Sequence, residues 1–191
     1  MLGIFLDTET NGLDPFSHRV LEIAFKLIDL KTGVFIDSYE AIVCLTDKEW
    51  ESSDPVSLQV NGFTKEKMAR GKSKEEVSSE IQACFAKHNI QRGKAVFICQ
   101  NPSFDRPFFA QLIPPMIQEK KLWPYHWLDL ASMHFATALT KGKKAPWETG
   151  LSKDKIAVAY SLPEEKKPHQ AINGVDHLLA CYEAVVGFSN S

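Results

Sequence analysis

The chain opens on MLGIFLD, a short apolar run that ends in polar, turn-forming residues, the pattern of a buried strand. RVLEIAFKLIDL and VFIDSYEAIV follow, joined by KTG. Two apolar-rich runs linked by a short glycine-containing segment predict a hairpin, so residues 2–43 predict three antiparallel strands in a meander. Residues 45–72 are polar and irregular. SKEEVSSEIQACFAKHN then puts Val77, Ile81, Cys84 and Phe85 on one helical face, and Ser73 and Glu76 have the spacing of a capping box. AVFIC predicts a fourth strand. It comes after a helix, so a crossover can lay it parallel to a strand of the first hairpin. SFDRPFFAQLI begins another helix, Pro114-Pro115 breaks the chain before 116–121, and residues 128–140, 152–160 and 174–187 also predict helices. TKGKKAPWETG reads as a mobile loop. Strands first and helices afterwards predict an α/β fold, a mixed sheet covered by helices.

Asp7 and Glu9 interrupt this pattern. They close the first apolar run, and alternation along a strand points both side chains the same way. Two like charges side by side stay ionised only with a cation between them; otherwise one takes a proton. Oxygen donors of this kind suit Mg²⁺ or Mn²⁺. A strand end with two solvated acids is the plainer alternative. Asn11-Gly12-Leu13 turns the chain at once and leaves space above the pair. A further acid, Asp105, follows AVFIC where a helix begins, four residues after Asn101. In KPHQAINGVDHLLACYEAV, His169 precedes a helix with Asp176 in its first turn. An acid at a helix start is also an ordinary cap or a complement to the helix dipole.

Bulk properties narrow the classes. The 191 residues suffice for a single domain, with 44% hydrophobic and 24% charged residues, as in globular proteins. A net charge of −2 excludes a protein that coats nucleic acid by charge alone. It allows an enzyme that grips a short end through metal ions. Cys44, Cys84, Cys99 and Cys181 form no CxxC pair and read as free thiols in a reducing compartment. No signal-peptide pattern and no membrane-length apolar stretch is present, so a cytoplasmic location is expected.

The ordered motifs resemble the DEDDh exonucleases of the ribonuclease-H-like fold, the group that includes the proofreading subunit of bacterial DNA polymerase III. FLDTETNGLDP…RVLEIA resembles the first motif, with Glu22 in its second element. VNGFTKEKM resembles a middle segment in which Asn61 stands where histidine is common. NPSFDRPFF resembles the second motif, WLDLASM and LSKDKIAVAYSL the stretches that follow, and PHQA the last motif. The resemblance implies a mixed five-stranded sheet flanked by helices and a single exonuclease domain over 1–191. It implies 3′→5′ removal of 5′-nucleotides from the end of single-stranded DNA or RNA, with two divalent ions, Mg²⁺ or Mn²⁺, as cofactors. Asp7, Glu9, Asp105 and a fourth acid would hold the metal, and His169 would take the proton of the attacking water. Thr10, Gly12 and Asn101 would position the terminal nucleotide, and Leu13 and Phe63 would stack on or wedge its bases. The remaining histidines, and Phe104, Phe108 and Phe109, read as packing.

One departure stands out. The family's last acid falls five residues after its histidine, and here that position is Gly174. Asp176 can replace it only if the helix starts late or Asn173-Gly174 loops, because two helical residues turn a side chain by about 200°. A member that binds a nucleic-acid end or a partner protein without cleaving it is therefore the alternative. Replication or repair proteins and a second copy of the chain are the partners that the resemblance suggests. A chain that stops at VVGFSNS, directly after its last helix, is expected to act as a stand-alone exonuclease or as a partner that docks by its surface.

Overall fold

The computed structural model describes residues 1–189, so the last two residues of VVGFSNS lie outside it. Five strands form one sheet: β1 (Leu2–Thr10), β2 (Val20–Asp29), β3 (Phe35–Ile42), β4 (Ala95–Cys99) and β5 (Trp127–Asp129). Their order is β3-β2-β1-β4-β5. The β1–β2 and β2–β3 pairs are antiparallel, whereas β1–β4 and β4–β5 are parallel. The predicted meander and the predicted parallel crossover strand are both present.

Helices cover both faces. Three short ones, α1 (Asp47–Glu51), α2 (Pro55–Asn61) and α3 (Lys65–Met68), precede α4 (Lys74–Lys87). Then come α5 (Pro102–Leu112), α6 (Pro115–Lys120), α7 (Leu130–Thr140), α8 (Pro146–Thr149), α9 (Lys153–Ala159) and α10 (Ala171–Val185). On one face Ile4, Leu6, Ile23 and Phe25 pack with Val77, Ile81 and Phe85 of α4 and Phe108 and Phe109 of α5. On the other, Phe5, Ala24, Ile28 and Ile98 pack with Ile156 of α9 and Val175, Leu178 and Tyr182 of α10. Phe97 of β4 stacks on Trp127 of β5 with ring centroids 4.0 Å apart.

Several expectations are corrected. Residues 45–72 hold three helices, each too short to show an apolar period, each fixed by a side-chain cap from Thr46, Asp54 or Thr64. The predicted helix at 128–140 begins two residues later, at Leu130, because Trp127–Asp129 pairs with β4 and Asp129 caps the helix. The segment read as a loop at 140–150 contains α8. α10 starts at Ala171, three residues before the predicted start.

This framework places the chemistry. β1 is the central strand and is almost wholly buried. Because β1 and β4 run parallel, their carboxyl ends lie side by side, and α5 starts next to the last residues of β1. Crevices at the carboxyl ends of parallel strands are where open α/β sheets bind ligands. No helix among the described residues is long and apolar enough to cross a membrane.

Candidate active site

Asp7 and Glu9 leave β1 on the face that α10 covers; Thr8, between them, points toward α5. Thr8 Oγ1 donates to Asp105 Oδ1 at 2.8 Å, which fixes the acid in the first turn of α5. His169 stands just ahead of α10. Asp7, Glu9, Asp105 and His169 line one open pocket, together with Phe104, Lys153 and Glu165.

The acids are largely withdrawn from water. Burial, with Asp7 and Glu165 adding to it, pushes the Glu9 carboxyl up to about 8. Burial also raises Asp7, against the pull of Lys153, and raises Asp105 well above the carboxylate range, with Asp7 adding and the Thr8 hydrogen bond opposing. These carboxylates need either protons or a cation beyond the one the chain supplies.

That cation is Lys153, at the start of α9. Its Nζ lies 2.9 Å from Glu165 Oε2, 3.4 Å from Asp7 Oδ1 and 3.3 Å from the Gly174 carbonyl oxygen. Burial opposes its charge, but Asp7 and Glu165 more than compensate and hold it protonated beyond the usual lysine range. Burial also raises Glu165, but His177, Lys153 and His169 outweigh it and bring the carboxyl down to about 2. Glu165 Oε1 lies 3.7 Å from His169 Nδ1. The His169 backbone N–H donates to the Val60 carbonyl at 3.4 Å, which holds the residue through its main chain. Neither Lys153 nor Glu165 was singled out from the sequence.

Asp176, the expected fourth acid, is not in the pocket. α10 is regular from Ala171, with the Gly174 N–H donating to the Gln170 carbonyl, so the loop that would carry Asp176 inward does not form. Asp176 is exposed and pairs with Lys26 of β2. Gly174 itself faces the pocket. A Cβ there would collide with the Asp7 carboxylate and crowd the Lys153 ammonium.

The early start of α10 has a tertiary cause. Glu22 of β2 is buried, and its Oε2 accepts from the Ala171 N–H at 3.0 Å. Glu22→Ala leaves that buried donor unpaired and is expected to cost about 1–3 kcal/mol in urea denaturation. Glu22→Gln, which keeps an acceptor, should recover most of the loss; equal loss in both variants would contradict this role.

The expected substrate contacts divide. Thr10 and Leu13 line a second groove that meets the pocket at Thr8, Glu9 and Phe104, and Leu13 is 73% exposed. Gly12 is buried in the turn; its carbonyl accepts from Thr10 Oγ1 at 2.7 Å, and the His18 ring fills the space a side chain would need. Asn101 is exposed and outside the pocket, whose rim there is Gln100. Its backbone adopts φ 57° and its N–H donates to Asp129 Oδ1 at 3.0 Å. Phe63 is corrected: it is 4% exposed within the core, under the Lys67 ammonium, and offers no face to a base. Phe104, read as packing, is half-buried where the two grooves meet, whereas Phe108 and Phe109 are core. Asn61 Nδ2 donates to the Thr10 carbonyl at 3.0 Å and ties α2 to the end of β1.

The donors suit a hard divalent cation. Such ions take oxygen ligands, commonly one or two carboxylates, with water and substrate phosphate completing the shell. Asp7 and Glu9, two residues apart on one strand face, fit one ion of this kind. Two groups among the described residues bring three candidate ligand atoms within 4.8 Å of one another, Asp37–Cys84–His88 and Asp154–Glu165–His177. Asp7, Glu9 and Asp105 are spread more widely, with Asp105 drawn toward Thr8.

Comparisons with known proteins bear on the family and the fold. A family model described as RNase_T, exonuclease, matches residues 4–180. A structure of exonuclease I superposes with a TM-score of 0.77 at 16% identity, covering 98% of this chain and 41% of that one. E. coli exonuclease I in complex with a dT13 oligonucleotide gives 0.75 at 17% identity, covering 96% and 40%. A zinc-bound form of the E. coli exonuclease I–single-stranded DNA complex gives 0.73 at 17%, with the same coverage. The chain spans about two fifths of the length of these relatives. The family match bears out the resemblance carried by the sequence motifs: the chain belongs to the RNase_T exonuclease family and has its ribonuclease-H-like fold.

Proposed function

We propose that the protein is a metal-dependent 3′→5′ exonuclease that hydrolyses the terminal phosphodiester of single-stranded DNA or RNA and releases 5′-nucleotides. The observation that carries this reading is the single open pocket lined by Asp7, Glu9, Asp105 and His169 at the carboxyl ends of β1 and β4. Membership of an exonuclease family, for which metal binding is expected, supports this reading, and two of the similar structures hold single-stranded DNA.

Asp7 and Glu9 would hold the cation, Mg²⁺ or Mn²⁺. When bound, it polarises the phosphate and offsets the charge that develops on its oxygens. Asp105, anchored by Thr8, acts from the other side of Asp7. His169 removes the proton of the attacking water as the general base, with the Glu165 carboxylate 3.7 Å from its Nδ1. The groove past Phe104, with Leu13 exposed at its edge, offers apolar surface for the terminal bases.

The test uses 5′-labelled and 3′-labelled single strands of DNA and of RNA, with Mg²⁺, Mn²⁺ or chelator. The expected result is a descending ladder from the 5′ label, immediate mononucleotide from the 3′ label, and neither in chelator. The DNA and RNA arms assign the substrate. Binding without shortening under every metal condition would instead favour an end-binding role without cleavage.

A further inference from the structure

We infer that Lys153 is a built-in replacement for one of the two divalent ions, so that the active site holds a single metal. This deepens the reading of the pocket as a metal-dependent nuclease site and rests on it.

The argument begins with what surrounds the ammonium. Three oxygens from three parts of the chain face Lys153 Nζ: Asp7 Oδ1 at 3.4 Å from β1, Glu165 Oε2 at 2.9 Å from the segment before α10, and the Gly174 carbonyl at 3.3 Å from α10 itself. A carboxylate–carboxylate–carbonyl cage is the donor set a hard cation takes. Here a protein cation fills it. Lysine is a compact point charge, able to occupy such a place where arginine's planar fork would not fit as well. Its side chain is only 12% exposed, and its Glu165 partner is 3% exposed, so the pair is a fixed part of the pocket floor.

Gly174 explains how the cage became available. It stands where the sequence pattern calls for an acid, and any side chain there would overlap the Asp7 carboxylate and press on the ammonium. A carboxylate at 174 therefore competes for its volume with the Asp7 carboxylate first and with the Lys153 ammonium at its edge. Losing the acid removes a negative ligand, and Lys153 supplies the positive charge that a second ion would have brought. Charge balance of the substrate-free site agrees. Asp7, Glu9, Asp105 and Glu165 carry at most four negative charges, of which Lys153 neutralises one and a single divalent ion two, so two such ions beside Lys153 would overcompensate before a phosphate binds.

The experiment counts metal rather than turnover. Mn²⁺ alone is titrated into the full chain, with free Mn²⁺ followed by electron paramagnetic resonance. One Mn²⁺ per wild-type chain is expected, and two for Lys153→Met, whose emptied cage retains its three oxygens. Two ions of comparable affinity in the wild type overturn the inference and leave the nuclease reading intact; none overturns both. A wild-type count of one with a Lys153→Met count also of one, in variants that keep the wild-type circular dichroism spectrum, rejects Lys153 as the occupant of a metal place.

Discussion

Asp7→Asn is expected to slow shortening of a single strand by about a thousandfold or more, with the fold intact. Asp7 is the acid on which the pocket converges, paired with Glu9 along the strand face, flanked by Asp105 and touched by Lys153. Replacing it by its neutral isostere weakens the hold on a cation that contributes several kcal/mol to a hydrolytic transition state, and each 1.36 kcal/mol is tenfold in rate. The stability consequence runs the other way. Asp7 carries a carboxyl raised by burial, so its removal relieves a desolvation cost, while Lys153 keeps Glu165 at 2.9 Å and the Gly174 carbonyl at 3.3 Å. In chelator the variant should therefore melt no lower than the wild type. Activity within tenfold of the wild type would remove Asp7 from the reaction. A collapse of the melting temperature would make the loss of activity a folding effect.

Much of the framework could be read from local pattern because local pattern causes it. The meander rests on apolar runs with a glycine turn, and α4 on a capping box followed by Val77, Ile81 and Phe85 at helical spacing. Asp7, Glu9 and Asp105 were visible because an acid at the end of an apolar strand or at a helix start contradicts its surroundings. What escaped was set by distant parts of the chain. Trp127–Asp129 is a strand only because β4 offers an edge to it. The start of α10 is fixed by Glu22, 149 positions away in sequence. Lys153 and Glu165 belong to polar segments that look like ordinary surface, and nothing in LSKDK or PEEKK announces burial. The one local hint was Gly174, whose missing acid leaves space for something else. Phe63 shows the converse error: an aromatic beside a motif was given to the substrate, whereas the core had the stronger claim on its area.

The metal-free protein should lose stability as pH rises through neutrality, and a divalent cation should restore it. Glu9 has an ordinary value of 4.5 and about 8 in the folded chain, so between these the native state keeps a proton that the unfolded state releases. The stabilisation is complete below pH 4.5 and is lost as pH climbs through 8, with a slope of about 1.4 kcal/mol per pH unit for one group. Asp7 and Asp105 are raised as well and act in the same sense. Glu165 is lowered, so its contribution is present above its ordinary range and changes only at acid pH; Lys153 is raised and changes only in strong alkali. Between pH 5 and 8.5 the raised acids therefore dominate, with a fall on the order of 4 kcal/mol from Glu9 alone. Urea denaturation in chelator across this range measures it. Mg²⁺ should add little at pH 5, where it must displace protons, and most at pH 8, where it takes their place. Glu9→Gln, which cannot ionise, should flatten the chelator profile. A flat wild-type profile, or equal stabilisation by Mg²⁺ at both pH values, would mean that the carboxylates of this pocket are solvated and have no need of a cation.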